Sequence, residues 1–380
     1  MTAPIPNQRH LFDIPDDVTY INCAYLSPLL KTAAARGIQG IQRKVHPWTI
    51  VRSDFYDELE LSRAAYARLI GTAADDIAII PSTSYGAAIA AANLPVGKGQ
   101  SIVVIAGEHS SNVRIWQILA RDKGARMITV ERPADGNWTA AVLAAIDAST
   151  AIAALPNLHW TDGGMIDLAA IGARLRAVGA AFVVDGTQSI GAFPLDLKTV
   201  QPDFLICSAY KWLLCPYTLG FLYAAPHRQN GRPIEEHGFN RAGAAAAEGA
   251  TDYPETFEPG ARRYDMGERS NFIHLPMAIV ALEQLTAWTP ANIAATLKPL
   301  TDALAEGGRK LGLDAPPIGH RVPHMIGLTR PGGLPAGLAD KLARQKIYVS
   351  QRGQALRVSP HLYNSAADID RLLAALKPLL

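Results

Sequence analysis

The chain has 380 residues, 49% of them hydrophobic and 18% charged, and a formal net charge of +2. That length is ample for a buried core and exceeds an ordinary single domain, so two domains are expected. Near-neutral charge without a dense Lys/Arg block gives no electrostatic case for nucleic acid or an anionic membrane surface, which leaves small molecules as the expected partners.

Met1-Thr2-Ala3-Pro4 does not open a charged-then-apolar leader, and no apolar run approaches a membrane span, so a soluble, unexported, cytoplasmic protein is expected. The short apolar run Ile77–Ile80 leads into Ser82-Thr83-Ser84-Tyr85-Gly86 and the Ala-rich stretch Ala87–Ala92, which reads as a helix. Ser101–Ala106 is a strand candidate, followed by a helical spacing over Ser111–Asp122 and a strand at Met127–Val130. Thr139–Ile146 reads as a helix capped by Thr139, Ala151–Leu155 as a strand, and Asp167–Val178 as a helix ended by Gly179. Two further apolar runs are Ala181–Val184, ending on Asp185, and Phe204–Cys207, followed by Ser208-Ala209-Tyr210-Lys211. Such alternation builds a parallel sheet covered by helices, an α/β fold, and its right-handed crossovers gather the carboxyl ends of the strands at one ligand-binding rim.

The Gly/Ala/Pro/Glu-rich stretch Gln229–Ala261 reads as a mobile connecting loop, with Ala242–Ala247 as a small helical or flexible patch. Beyond it, helices at Met277–Trp288 and Ala294–Leu311, short strands at Met325–Leu328, Tyr348–Ser350 and Ala355–Val358, and a last helix Ala366–Leu379 describe a smaller α/β domain. Cys23, Cys207 and Cys215 are odd in number and lack CxxC spacing, so neither a disulfide framework nor a metal site is expected.

An acid and a lysine at the ends of neighbouring strands suit a pyridoxal phosphate site, where the lysine carries the aldehyde as a Schiff base and the acid holds the pyridinium proton. Asp185 and Lys211 are that pair. The phosphate needs clustered hydroxyls at a helix start, which Thr83 and Ser84 supply, although these hydroxyls would cap the helix with or without a phosphate. Ser208 and Tyr210 flank the lysine and can add two more hydrogen bonds. At the same rim His109 can stack on the ring and shuttle protons, Gln188 and Asn157 can reach the ring oxygen, and His159 and Trp160 can line a substrate pocket. The bland readings are ordinary capping, a structural histidine and amides near a helix start.

These residues resemble the class V aminotransferase family of fold-type I pyridoxal phosphate enzymes, which includes cysteine desulfurases, selenocysteine lyases, kynureninases and isopenicillin N epimerases. The resemblance runs from Tyr20-Ile21-Asn22 to Tyr363-Asn364 and is strongest in Val184-Asp185-Gly186-Thr187-Gln188-Ser189 and Ser208-Ala209-Tyr210-Lys211-Trp212-Leu213. It implies a large domain with a mostly parallel seven-stranded sheet sandwiched by helices, here 31–260. It also implies an N-terminal segment 1–30 and a smaller α/β domain 261–380. Gly107–Asn112 is similar to the segment whose first histidine stacks on the cofactor, the role given to His109. Leu356-Arg357-Val358 resembles the segment whose arginine forks onto the substrate α-carboxylate, a task suited to a planar guanidinium. The family's N-terminal segment approaches the substrate, which makes Asn22 a wall residue and Cys23 the one cysteine worth testing. Family members pair as homodimers with the site at the interface, so Ser270 or Asn271 is expected to touch the partner's phosphate.

One departure bears on function. Desulfurases of this group carry a persulfide cysteine shortly before the arginine, whereas Ser350-Gln351-Arg352-Gly353-Gln354-Ala355 leads into Leu356-Arg357 with no cysteine. The expectation is a lyase acting on a cysteine-like or other β-substituted amino acid without a persulfide relay. An aminotransferase or an amino-acid epimerase of the same family is the alternative. Outside enzymes, a cofactor-binding sensor is the rival, opposed by a carboxylate fork that has no use without a substrate. A dinucleotide-binding oxidoreductase is weaker, because no GxGxxG follows a strand.

Overall fold

The computed structural model describes residues 2–246 and 254–380. The end of the Ala242–Ala247 run and the middle of the 229–261 stretch lie outside the described residues.

Seven strands form the central sheet: β1 (Ile77–Ile80), β2 (Ser101–Ile105), β3 (Arg126–Val130), β4 (Thr150–Pro156), β5 (Ala181–Asp185), β6 (Phe204–Ser208) and β7 (Gly220–Ala224). Their spatial order is β1-β7-β6-β5-β4-β2-β3. All neighbours are parallel except β7, which runs antiparallel to both β1 and β6. Every strand but the edge strand β3 is buried along its whole length, which is why these segments read as continuous apolar runs. Alternate residues feed two cores. Ile79, Val103, Leu155, Val184 and Leu205 point to one face, and Ile80, Ile102, Ala154, Val183 and Ile206 to the other.

A third core forms beyond the large sheet. Strands β8 (Ile326–Leu328), β9 (Ser350–Arg352) and β10 (Ala355–Val358) make an antiparallel sheet in the order β9-β10-β8, with Leu328, Leu356 and Val358 packed on Leu304, Ile369 and Leu372. The N-terminal segment ties into it: Thr19–Tyr20 pairs in parallel with Ile347–Tyr348, and Ile21 joins the same cluster. No helix among the described residues is long and apolar enough to cross a membrane.

Three local readings need correction. The helix expected from Thr139 spans Trp138–Ala145 and is capped by Asn137, whose side chain accepts the Ala140 N–H at 3.1 Å, while the Thr139 hydroxyl accepts the Asp167 N–H at 2.9 Å. Tyr348–Ser350 is not one strand, because the chain leaves one sheet at Tyr348 and enters another at Ser350. The helix read over Ser111–Asp122 starts later, at Arg114, after a short 3-10 turn at Ser110–Asn112.

Candidate active site

Asp185 ends β5 and pairs in register with Pro156 of β4 and Ile206 of β6, so it sits mid-rim. One carboxylate oxygen accepts the Thr187 N–H at 2.9 Å, which fixes the carboxyl plane. The other oxygen has no hydrogen-bond partner among the described residues. Asp185 lines a cavity of about 340 Å³ together with Lys211, His109, Thr83 and Ser208.

Lys211 reaches that cavity because the chain turns sharply after β6, held by Ala209 N–H to Leu219 O at 2.9 Å and Cys215 N–H to Ala209 O at 3.1 Å. Its Nζ lies 5.3 Å from the centre of the Tyr210 ring and forms no ion pair among the described residues. Burial, then the Arg357 charge, pull its pKa down to about 8 against the opposing pull of Asp185. Asp185, Lys211 and Tyr210 are therefore brought together, as the spacing of the two strand ends predicts.

The hydroxyl cluster is built by three elements. Thr83 Oγ1 stands 2.8 Å from Ser208 Oγ and 3.0 Å from Thr187 Oγ1, and the Thr83 N–H donates to Ser208 Oγ at 3.1 Å. Ser82, not Thr83, caps the Thr83–Asn93 helix by accepting the Tyr85 N–H. Plain capping thus uses one hydroxyl and leaves Thr83 and Ser84 facing the cavity. Thr187 was given no role from sequence; its place in the cluster follows from β5 and β6 being neighbours.

His109 lines the cavity, with its ring edge-on to Trp160 at 5.6 Å, and burial followed by the Lys211 charge lowers its pKa. Its neighbour Glu108 was also missed. One oxygen of Glu108 accepts the His109 N–H, the other is buried without a partner, and burial together with Asp185 pushes the carboxyl up to about 8. Gln188 lines the cavity with its amide locked, accepting the Trp212 indole N–H at 3.0 Å and donating to Ala24 O at 3.2 Å. Gly191 permits this: its φ is 102°, and a Cβ there would fall 2.3 Å from Trp212 O.

Six residues singled out from sequence stand outside the cavity lining. Past β4 the chain keeps its two-residue alternation, so Pro156, Leu158 and Trp160 face the cavity while Asn157 and His159 face away. Asn157 donates to Ile166 O at 3.1 Å and lines a separate cleft, and its Oδ1 is buried without a partner among the described residues. His159 stacks flat on Trp138 at 5.2 Å and bonds Ala106 O at 3.0 Å, a support beneath the rim and not a wall. Asn22 accepts the Ser350 hydroxyl at 2.8 Å, and its successors Ala24, Tyr25 and Leu26 form the wall instead. Cys23 is fully buried, its S–H directed at Lys211 O at 3.9 Å, and burial raises its pKa. Ser270 donates to Phe55 O at 2.5 Å, and Asn271 accepts the Ile273 and His274 N–H groups at 3.1 and 2.8 Å; neither lines the cavity of its own chain.

A second cleft of about 600 Å³ adjoins the first and contains Arg357. That guanidinium is buried; Nη1 donates to Trp160 O at 2.9 Å, and Nε has no partner. Burial and then Arg352 pull its pKa down to about 9, so it still carries its charge at neutral pH. Among the described residues no group of three or more His, Cys, Asp or Glu side chains is placed to hold a metal ion.

The family model for class V aminotransferases matches residues 41–372. This chain belongs to that family. Within it, the chain is 31% identical over 185 residues to a probable cysteine desulfurase of Pyrococcus abyssi, a match covering 48% of this chain and 45% of that protein. It is 27% identical to isopenicillin N epimerase of Streptomyces clavuligerus over 84% of this chain and 83% of that one. The structure of the cystine C-S lyase C-DES in complex with cysteine persulfide shares the fold, with a TM-score of 0.85, 20% identity and coverage of 96% and 98%. The cofactor of this class V chain is pyridoxal phosphate, and the cavity fits it. An unpartnered carboxylate oxygen, an unpaired lysine and a hydroxyl cluster at a helix start meet in a single pocket.

Proposed function

We propose that the chain is a lyase that cleaves a side-chain bond of a cysteine-like or other β-substituted amino acid and releases the product directly. The observation that carries this reading is the cysteine inventory. All three cysteines are buried, and none lies on the β9–β10 hairpin, whose Arg352 and Arg357 line the second cleft. The likeness in fold to a cystine C-S lyase supports it.

Bound in the cavity, pyridoxal phosphate supplies an electron sink for bond breaking at the substrate α-carbon. The protein supplies the rest. With the cofactor bound, Asp185 would hold the proton on the ring nitrogen, and Thr83, Ser84, Thr187 and Ser208 would present hydroxyls to the phosphate. Arg357 orients the α-carboxylate with the N–H groups that no protein acceptor uses. Lys211 Nζ, held near pKa 8, is the base for the α proton. His109 lines both clefts and is the group placed to donate a proton to the leaving group, against burial and the Lys211 charge, which disfavour its protonated form. We further infer a cytoplasmic homodimer.

Amino transfer or epimerisation is the second reading, favoured by the likeness to isopenicillin N epimerase. A panel of amino acids in deuterium oxide separates them. Keto acid with released sulfide or sulfinate is the expected outcome; α-deuteration with loss of optical purity, or a new amino acid formed from added keto acid, replaces the lyase reading. Lys211→Ala should abolish turnover and the yellow absorbance of the purified protein together.

A further inference from the structure

Arg357 is not the only cation in the substrate cleft. Arg352 lines it as well, and with Lys211 the walls carry three cationic side chains and no carboxylate among the described residues. Arg352 is half-buried. Its Nη1 donates to Gln351 O at 3.0 Å, its guanidinium lies 5.2 Å from the centre of the Tyr25 ring, and it has no ion-pair partner among the described residues.

The hairpin fixes where this charge sits. Ser350 pairs with Arg357 and Arg352 with Ala355, and residues two apart on a strand share a face, so Arg352 and Arg357 are diagonal neighbours on one face. Their Cα atoms are then about 7–8 Å apart. One small molecule spans such a pair. Two guanidinium groups converging on a cleft without a counter-charge repel each other, and that repulsion is relieved when each meets an anion. The same field reaches Lys211, Arg357 and His109, each of which Arg352 pushes toward its neutral form. Between the two charges, Tyr25, Trp160 and Tyr217 offer aromatic walls to a short carbon chain.

We propose that Arg352 selects the substrate: an α-amino acid whose side chain ends in a second acidic group, a carboxylate or a similar oxyanion, bound there while Arg357 holds the α-carboxylate. This rests on the reading of Arg357 given above and narrows it to a substrate class.

The test is binding of amine-free acids to the holoenzyme by calorimetry, comparing succinate and glutarate with butanoate and pentanoate. At least one diacid should bind tenfold or more tightly than the monoacid of equal length. Arg352→Gln should reduce that ratio to within twofold, while Arg352→Lys keeps most of it and shows that the fold tolerates a change at this position. Equal binding of diacid and monoacid, or a preference that survives Arg352→Gln, overturns the proposal and leaves the Arg357 reading standing. Failure of all four acids to bind overturns both.

Discussion

Lys211 is the residue whose surroundings most change its chemistry. A lysine in water keeps its proton to about pH 10.4, yet burial and the Arg357 charge bring this one to about 8, overriding the attraction of Asp185. A free amine is what attacks an aldehyde, so cofactor capture by the cofactor-free protein should rise with pH and reach half its maximum near pH 8. Replacing Arg357 by Gln removes a charge that disfavours the protonated amine, which raises the lysine pKa and should move the midpoint to higher pH. Stopped-flow absorbance from pH 6 to 10 measures both, and a midpoint unmoved in the variant contradicts the assigned cause. Lys211, Asp185 and Arg357 were legible in sequence because each lies on, ends or closely follows a short apolar strand and stands in a distinctive local motif. Thr187, Glu108 and Arg352 were not. Thr187 and Glu108 take their places only where segments far apart in sequence meet, as residues 83, 187 and 208 do in the hydroxyl cluster, whereas Arg352 takes its place from the register of the β9–β10 hairpin. Asn157 and His159 do not line the cavity for a simpler reason: on an extended chain they face the side opposite to Pro156, Leu158 and Trp160.

At the scale of elements, strands were legible and helix crossings were not. Ile77–Ile80, Ala181–Asp185 and Ala355–Val358 have the boundaries that their apolar runs imply, because a strand buried on both faces leaves an unmistakable composition. The helices Lys31–Val45 and Asp57–Ile70, which both pack on His274–Trp288, had no such mark. Their junction with the sheet is ionic. Arg63 forks onto Asp265 at 3.0 and 2.8 Å, Arg269 meets the same carboxylate at 2.6 Å, and the Ile79 N–H of β1 donates to it at 2.8 Å. Burial raises the Asp265 carboxyl pKa, but the two arginines outweigh it and hold it below its ordinary 3.8. A depressed carboxylate pKa contributes stability that is intact above that ordinary value and lost as pH falls through the folded value. Asp265→Ala leaves the buried Arg269 without a counter-charge and Arg63 with only the part-exposed Glu60, 3.0 Å from its Nε, and should cost about 3–5 kcal/mol, read from urea unfolding at neutral pH. A loss under 1 kcal/mol would show the network to be replaceable by water.

The whole molecule carries an apolar face that its own fold leaves exposed. Ile38, Ile41 and Val45 share one side of the Lys31–Val45 helix, and the chain continues into Trp48, 77% exposed, and Val51. A contiguous patch of this kind on a protein otherwise well packed marks a contact surface. The homodimer we infer supplies its cover by a second copy of the chain. The same helix packs on His274–Trp288, whose first turn is capped by Asn271, so dimer contact and the 270–271 segment are mechanically linked. Because Ser270 and Asn271 already hydrogen-bond within their own chain, any reach toward the partner's phosphate has to use the remaining Asn271 amide hydrogens or an adjacent backbone N–H. Light scattering should therefore give twice the 40.7 kDa chain mass at micromolar concentration. The double variant Ile41→Glu, Trp48→Glu places two charges on the patch without touching the core. It should yield monomers that keep their far-ultraviolet circular dichroism and bind pyridoxal phosphate at least tenfold more weakly. Monomers that retain full cofactor affinity would confine the site to one chain and remove Ser270 and Asn271 from it.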